Sequence, residues 1–118
     1  MTTEQIAGRL VELCRKGDYE AAHKELYSKD AESIEPDSAQ EPRHIKGLDA
    51  IKEKGKQFNS IVEEVHGGFV SDPVIAGSRF SVAMGMDVTL KGMGRNNMNE
   101  ICVYETKDGK ITKEQFFF

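Results

Sequence analysis

Apolar side chains recur along this chain with two different periods. Between Thr3 and Lys16, Ile6, Leu10, Leu13 and Cys14 fall at i, i+4, i+7 and i+8, the stripe of an amphipathic helix that Gly17 ends. Asp18 is placed to cap a second helix, in which Tyr19, Ala22 and Leu26 share a face while Glu20, Lys24 and Glu25 meet water. A third helix opens near Gly47, where Leu48, Ile51, Gly55, Phe58 and Val62 form the next stripe. Gly55 costs that helix up to about 1 kcal/mol relative to alanine, and its place on the apolar face implies that a neighbouring element comes close there. Past Glu63 the period drops to two. Phe80, Val82, Met84, Met86, Val88 and Leu90 alternate with Ser81, Ala83, Gly85, Asp87 and Thr89, as in a strand with one face on a core.

The remaining segments are shorter. Ala31 to Asp37 has mixed polarity and is stopped by Pro36, which reads as a brief edge strand, and Ser38 to Lys46 reads as a polar loop. Lys91 to Gly94 is a turn, Met98 to Thr106 a strand, and Ile111 to Phe118 the last strand. Asp108-Gly109 between them is a hairpin signal, because both residues tolerate the positive φ of a type I′ turn. His66 precedes Gly67-Gly68, where a bulge or a close backbone approach is natural. Three helices followed by successive hairpins predict an α+β fold, with helices packed on one face of a mostly antiparallel sheet. The absence of a βαβ alternation excludes a dinucleotide-binding fold, and Gly92-x-Gly94 lies between strands rather than at a helix start, so it is no phosphate cradle.

Size and charge narrow the picture. The 118 residues suit one domain, spanning 1–118. The charged fraction of 31% and mean hydropathy of −0.52 belong to a folded, water-soluble chain. The net charge of −4, with scattered basic residues, argues against nucleic-acid binding. No apolar run is long enough for a membrane span and the N-terminus lacks a signal-peptide pattern, so the expected compartment is the cytoplasm. Cys14 and Cys102 show no paired spacing, and His23, His44 and His66 lie far apart in sequence. Neither a disulfide framework nor a metal or other cofactor is expected.

Four segments taken together resemble the SnoaL-like domains of the nuclear transport factor 2-like superfamily: Gly17-Asp18, Leu26 to Ala31, Gly47 to Ile51, and Val103 to Ile111. The resemblance implies a cystatin-like cone, in which a curved sheet wraps the long helix and leaves a pocket open at one end, and it implies a homodimer formed through the outer sheet face. Its chemistry ranges over isomerisation, ring closure, dehydration, epoxide opening and plain ligand binding. The nearest local pattern is that of the ketosteroid isomerases, which place a catalytic carboxylate just before a proline at the end of the first strand and follow it with Glu-Pro-Arg. Here Glu35 precedes Pro36, and Glu41-Pro42-Arg43 follows. The rest of that pattern departs: the isomerases' helix-one tyrosine falls on Leu10 and their protonated aspartate on Cys102, while the cyclase acid of the last strand falls on Phe116.

If Cys102 faces the pocket, strand alternation turns Met98, Glu100 and Tyr104 the same way. A slip of one residue would instead send Asn99, Ile101 and Val103 inward and leave Glu100 in water. The candidate catalytic residues are therefore Glu35 as general base, Glu100 as a second titrating carboxylate and Tyr104 as a hydroxyl donor, with Glu35 expected to line the pocket and to titrate above the ordinary carboxylate range through burial. Leu10, Cys14, Phe58, Met84, Met86, Met98, Cys102, Phe116 and Phe118 form the expected wall for a small, largely apolar molecule. Each has a plainer role open to it: Glu35 an exposed strand-end charge, Tyr104 a core aromatic, the methionines flexible packing, and the cysteines buried small residues with nothing to activate a thiol. Two functions fit, a cofactor-independent isomerase, cyclase or lyase acting on a carbonyl compound, or a non-catalytic binding or dimerisation domain.

Overall fold

The computed structural model describes residues 1–118. Helix α1 (Thr3–Arg15) starts at a reciprocal cap: Thr2 Oγ1 accepts from the Gln5 amide, and the Gln5 side chain accepts from the Thr2 amide. Gly17 follows with φ of 73°, and Asp18 caps α2 (Tyr19–Leu26) by accepting from the Ala21 amide at 3.1 Å. The chain then leaves α2 straight into β1 (Tyr27–Ile34), makes the short β2 (His44–Lys46), and enters α3 (Leu48–Ile61) through Gly47. The last half is β3 (Val62–Val70), β4 (Val74–Ala76), β5 (Arg79–Leu90), β6 (Gly94–Lys107) and β7 (Lys110–Phe117).

All seven strands join one sheet in the order β2-β1-β7-β6-β5-β3, with β4 also on β5. Every pairing is antiparallel except β1 with β7, which brings the first and last strands together in parallel. The predicted α+β layering holds, and three segments correct the finer expectations. The first strand starts at Tyr27 rather than Ala31 and is interior, because His44–Lys46, read as loop, pairs with it and takes the edge. The mixed polarity of β1 therefore marks a strand covered on one face only. β6 begins at Gly94, four residues before Met98, since Asn96 and Asn97 carry the ladder outward without an apolar signal. β3 has hardly any buried side chain, which is why its period was silent.

The local signals held. The β6–β7 turn has Asp108 at φ 53° and Gly109 at φ 77°. The β3–β5 register shifts between Val65 and Gly67, a bulge at His66, and a Cβ on Gly68 would lie 2.5 Å from the Gly85 carbonyl oxygen. Gly55 meets His23 of α2, at an ordinary contact distance of 3.8 Å from where a Cβ would sit. The packed core joins Ile6, Ala7, Leu10 and Val11 of α1 to Phe80 and Val82 of β5, Cys102 and Tyr104 of β6 and Ile111 of β7. Phe80 and Tyr104 stack at 4.8 Å across the strand pair. No helix is long and apolar enough to cross a membrane.

Candidate active site

The inner sheet face and α3 enclose a cavity of about 1070 Å³. Its carboxylates arrive by simple periodicity. On β1, Ala31 and Ser33 are fully buried, and the same phase carried two residues further brings Glu35 inward just beyond the strand end. On β6, Glu100 stands opposite Met84 and two positions from Cys102, facing in. On β7, Glu114 and Phe116 share one phase that continues to Phe118 just past the strand end, after a register shift between Glu105 and Thr106 on the neighbouring β6. On α3, Lys54 lies three residues after Ile51 and four before Phe58, on the helix's inward stripe.

These groups form two connected sets. Lys54 Nζ makes an ion pair with Glu35 and sits 5.2 Å from the centre of the Phe116 ring. Glu114 accepts from the Tyr27 hydroxyl on one oxygen and from Ser33 Oγ at 2.7 Å on the other, entirely inside the protein. Burial raises the Glu114 carboxyl above its ordinary range, against the lowering effect of the Tyr27 and Ser33 bonds and of Lys54. Glu100 is also raised, first by burial and further by Glu114, while the Cys102 thiol at 3.5 Å and Lys54 pull the other way. Burial lowers the His23 imidazole, so it stands neutral against the edge of Tyr27. The result is a Glu35–Lys54 ion pair in the same cavity as two carboxyls whose burial raises them.

A profile of the SnoaL-like domain matches residues 1–118. The chain belongs to the SnoaL-like family. A proposed SnoaL-like polyketide cyclase from Mesorhizobium loti is 34% identical, superposes with a TM-score of 0.92, and each chain covers 100% of the other. A protein of cystatin-like fold from Xanthomonas campestris, at 17% identity and TM-score 0.80 over 99% of this chain and 90% of that one, shares the fold. So does a ketosteroid isomerase-like protein from Catenulispora acidiphila solved with trimethylamine, at 15% identity and TM-score 0.73 over 96% and 84% of the two chains. No curated protein sequence matched.

Within this SnoaL-like domain, the cavity is lined by Glu35, Glu100 and Tyr104, and by Leu10, Cys14, Phe58, Met84, Met86, Met98, Phe116 and Phe118. Cys102 is the exception. It faces inward but is fully buried beside Val82 in the packed core, and only its contact with Glu100 links it to the cavity. Burial pushes the Cys14 thiol up to about 12 and raises that of Cys102 as well, so neither is a thiolate nucleophile. The sequence reading set only carboxylates and a hydroxyl around Glu35, and the structure adds Lys54 facing it.

Sequence reasoning missed Lys54, Glu114, Tyr27 and Ser33. The signals existed. Lys54 occupies an apolar-stripe position between Ile51 and Phe58, and Glu114 shares strand parity with Phe116. Each was obscured by polar neighbours, Lys52, Glu53 and Lys56 on the helix and Lys113 and Gln115 on the strand.

Proposed function

We propose that this domain is a cofactor-independent general acid–base catalyst acting on a small, largely apolar carbonyl compound, an isomerase, cyclase or lyase by class. The observation that carries the reading is the pairing of opposite protonation preferences in one cavity. Glu35, held against an ammonium, is the proton acceptor, and Glu100, raised by burial, is the donor to a carbonyl oxygen. Met84, Met86, Met98 and Phe116 supply the apolar contact that would orient the substrate skeleton. Tyr27 and Ser33 fix Glu114, which adds to the raising of Glu100 that burial causes. The relatedness to a proposed polyketide cyclase over the full chain supports the carbonyl substrate class. A homodimer through the outer sheet face belongs to the same reading, supported by the half-exposed Phe69, Ile101 and Phe117 on that face.

The test is deuterium exchange of the α-hydrogens of small ketones, followed by NMR at neutral pH. The wild-type protein is expected to accelerate exchange, and Glu35→Gln to reduce the acceleration by about 100-fold while leaving the fold intact. A binding-only reading draws on Leu10 and Cys102, which replace hydrogen-bond donors in the isomerase pattern, and on the relative solved with trimethylamine. It expects saturable binding with no exchange above the solvent rate.

A further inference from the structure

Lys54 is the one lysine lining the cavity, and in the acid–base reading it serves only as the cation beside Glu35. An ammonium held only to neutralise Glu35 would be better placed in water. Instead its side chain is two-thirds covered, with Nζ over the face of Phe116 and against Glu35. We propose that Lys54 is a covalent catalyst whose amine condenses with the carbonyl group of the ligand to form an iminium, with Glu35 as the proton shuttle. This rests on the carbonyl substrate class argued above and goes beyond it in assigning a nucleophile.

The step balances with the groups present. Lys54 passes a proton to Glu35, and the freed lone pair on Nζ bonds to the carbonyl carbon. The carbonyl oxygen takes that proton from Glu35, which then accepts a second one from Nζ. As the C–O bond breaks, Glu35 returns this proton to the departing hydroxyl, water leaves, and nitrogen closes the C=N bond. Ammonium and ketone have become iminium and water, and Glu35 is again a carboxylate. An iminium withdraws electrons from the adjacent carbon more strongly than a neutral carbonyl, so Glu35 then faces a more acidic C–H than the free ketone offers.

The electrostatics agree with this geometry. Burial lowers the Lys54 amine, which raises the fraction present as free base, while Glu114, Glu100 and the Glu35 carboxylate in contact with it oppose the change. The neutral His23 adds no competing cation, and the apolar side chains around the site limit hydrolysis of the C=N bond.

Reductive trapping decides the matter. Native protein is incubated at neutral pH with cyclohexanone or benzaldehyde and sodium cyanoborohydride, then digested, and the modified lysines are located by mass spectrometry. Lys54 is expected to be alkylated ahead of every exposed lysine, because it is the lysine that lines the cavity and its amine is lowered by burial. Glu35→Gln should slow trapping at Lys54 and leave the exposed lysines unchanged. Lys54→Arg keeps a cation for Glu35 and the fold, and should abolish both the selective adduct and the ketone exchange. Alkylation of Lys54 no faster than of exposed lysines, or exchange that survives Lys54→Arg and is lost in Glu35→Gln, overturns the nucleophile and leaves the carboxylate chemistry standing. Exchange unaffected by Glu35→Gln removes the acid–base reading instead, while selective trapping at Lys54 still supports the iminium.

Discussion

The two halves of the inward row Phe80, Val82, Met84 and Met86 on β5 carry the same alternation and meet different fates, while Val88 and Leu90 beyond them are buried again. At one end Phe80 and Val82 are 2% exposed, pressed under α1 and against Tyr104 and Cys102. Further along, Met84 and Met86 occupy equivalent inward positions and are only partly buried, because the space facing them is cavity. Strand β6 repeats the contrast, with Tyr104 and Cys102 buried and Glu100 and Met98 opening on the cavity. Binary patterning decides which way a side chain points, and the element laid over it decides whether that direction is core or site. The residue types follow: rigid aromatic and β-branched groups where packing is dense, and flexible methionines with ionisable groups where a ligand would complete the packing.

The largest effect should come from the packed half. Phe80→Ala removes a stacked, fully buried ring and is expected to destabilise the fold by about 3–5 kcal/mol, whereas Met86→Ala in the open half should cost about 1 kcal/mol or less. Urea denaturation of both variants checks this. Equal losses would mean that the cavity wall is as tightly packed as the core, and the comparison would fail.

A pH test sharpens it further. Glu114 lies where the halves meet, and its carboxyl titrates higher folded than unfolded, so the native state holds its proton more tightly. Stability on this account is greatest at acid pH, and it falls as pH rises from the unfolded carboxyl value to the elevated folded one. About 1.4 kcal/mol is lost for each pH unit separating the two. Glu114→Gln removes the titration and still offers an acceptor to Tyr27 and an amide to Ser33, whose hydroxyl can turn to accept. The variant should flatten the acid-to-neutral slope and be the more stable protein at neutral pH. A slope identical to wild type would contradict the assignment.

The outer face carries the smallest expected effect. Ile101 is 47% exposed and stands between Ala83 and Phe117 on the neighbouring strands. Light scattering should find a dimer, and Ile101→Lys should yield a monomer with fold stability altered by no more than about 0.5 kcal/mol. A wild-type protein that scatters as a monomer at micromolar concentration would remove the dimer from the account.

These contrasts also explain what was legible beforehand. The long helices and β5 announced themselves because their apolar residues repeat over many positions on a single buried face. β2 and β3 did not, being a three-residue edge and a strand whose side chains are mostly exposed. Glu35 and Glu100 were reachable through strand parity and a family pattern. Lys54 and Glu114 break the apolar rule at inward positions, so a reading that sorts polar residues to the surface passes over them. Their partners, Glu35 for one and Tyr27 and Ser33 for the other, lie on other elements, and sequence spacing does not reveal those pairings.

The central claim is that one cavity raises two carboxyls beside a Glu35–Lys54 ion pair, and carbon-13 NMR titration of glutamate side chains tests it most directly. With Glu100→Gln and Glu114→Gln used to assign the signals, both carboxyls should ionise above the exposed glutamates. Lys54→Met should move both higher, since the ammonium holds each down. If Glu100 and Glu114 titrate together with the surface glutamates in the wild-type protein, the cavity holds no acid to set against its base and the account is wrong.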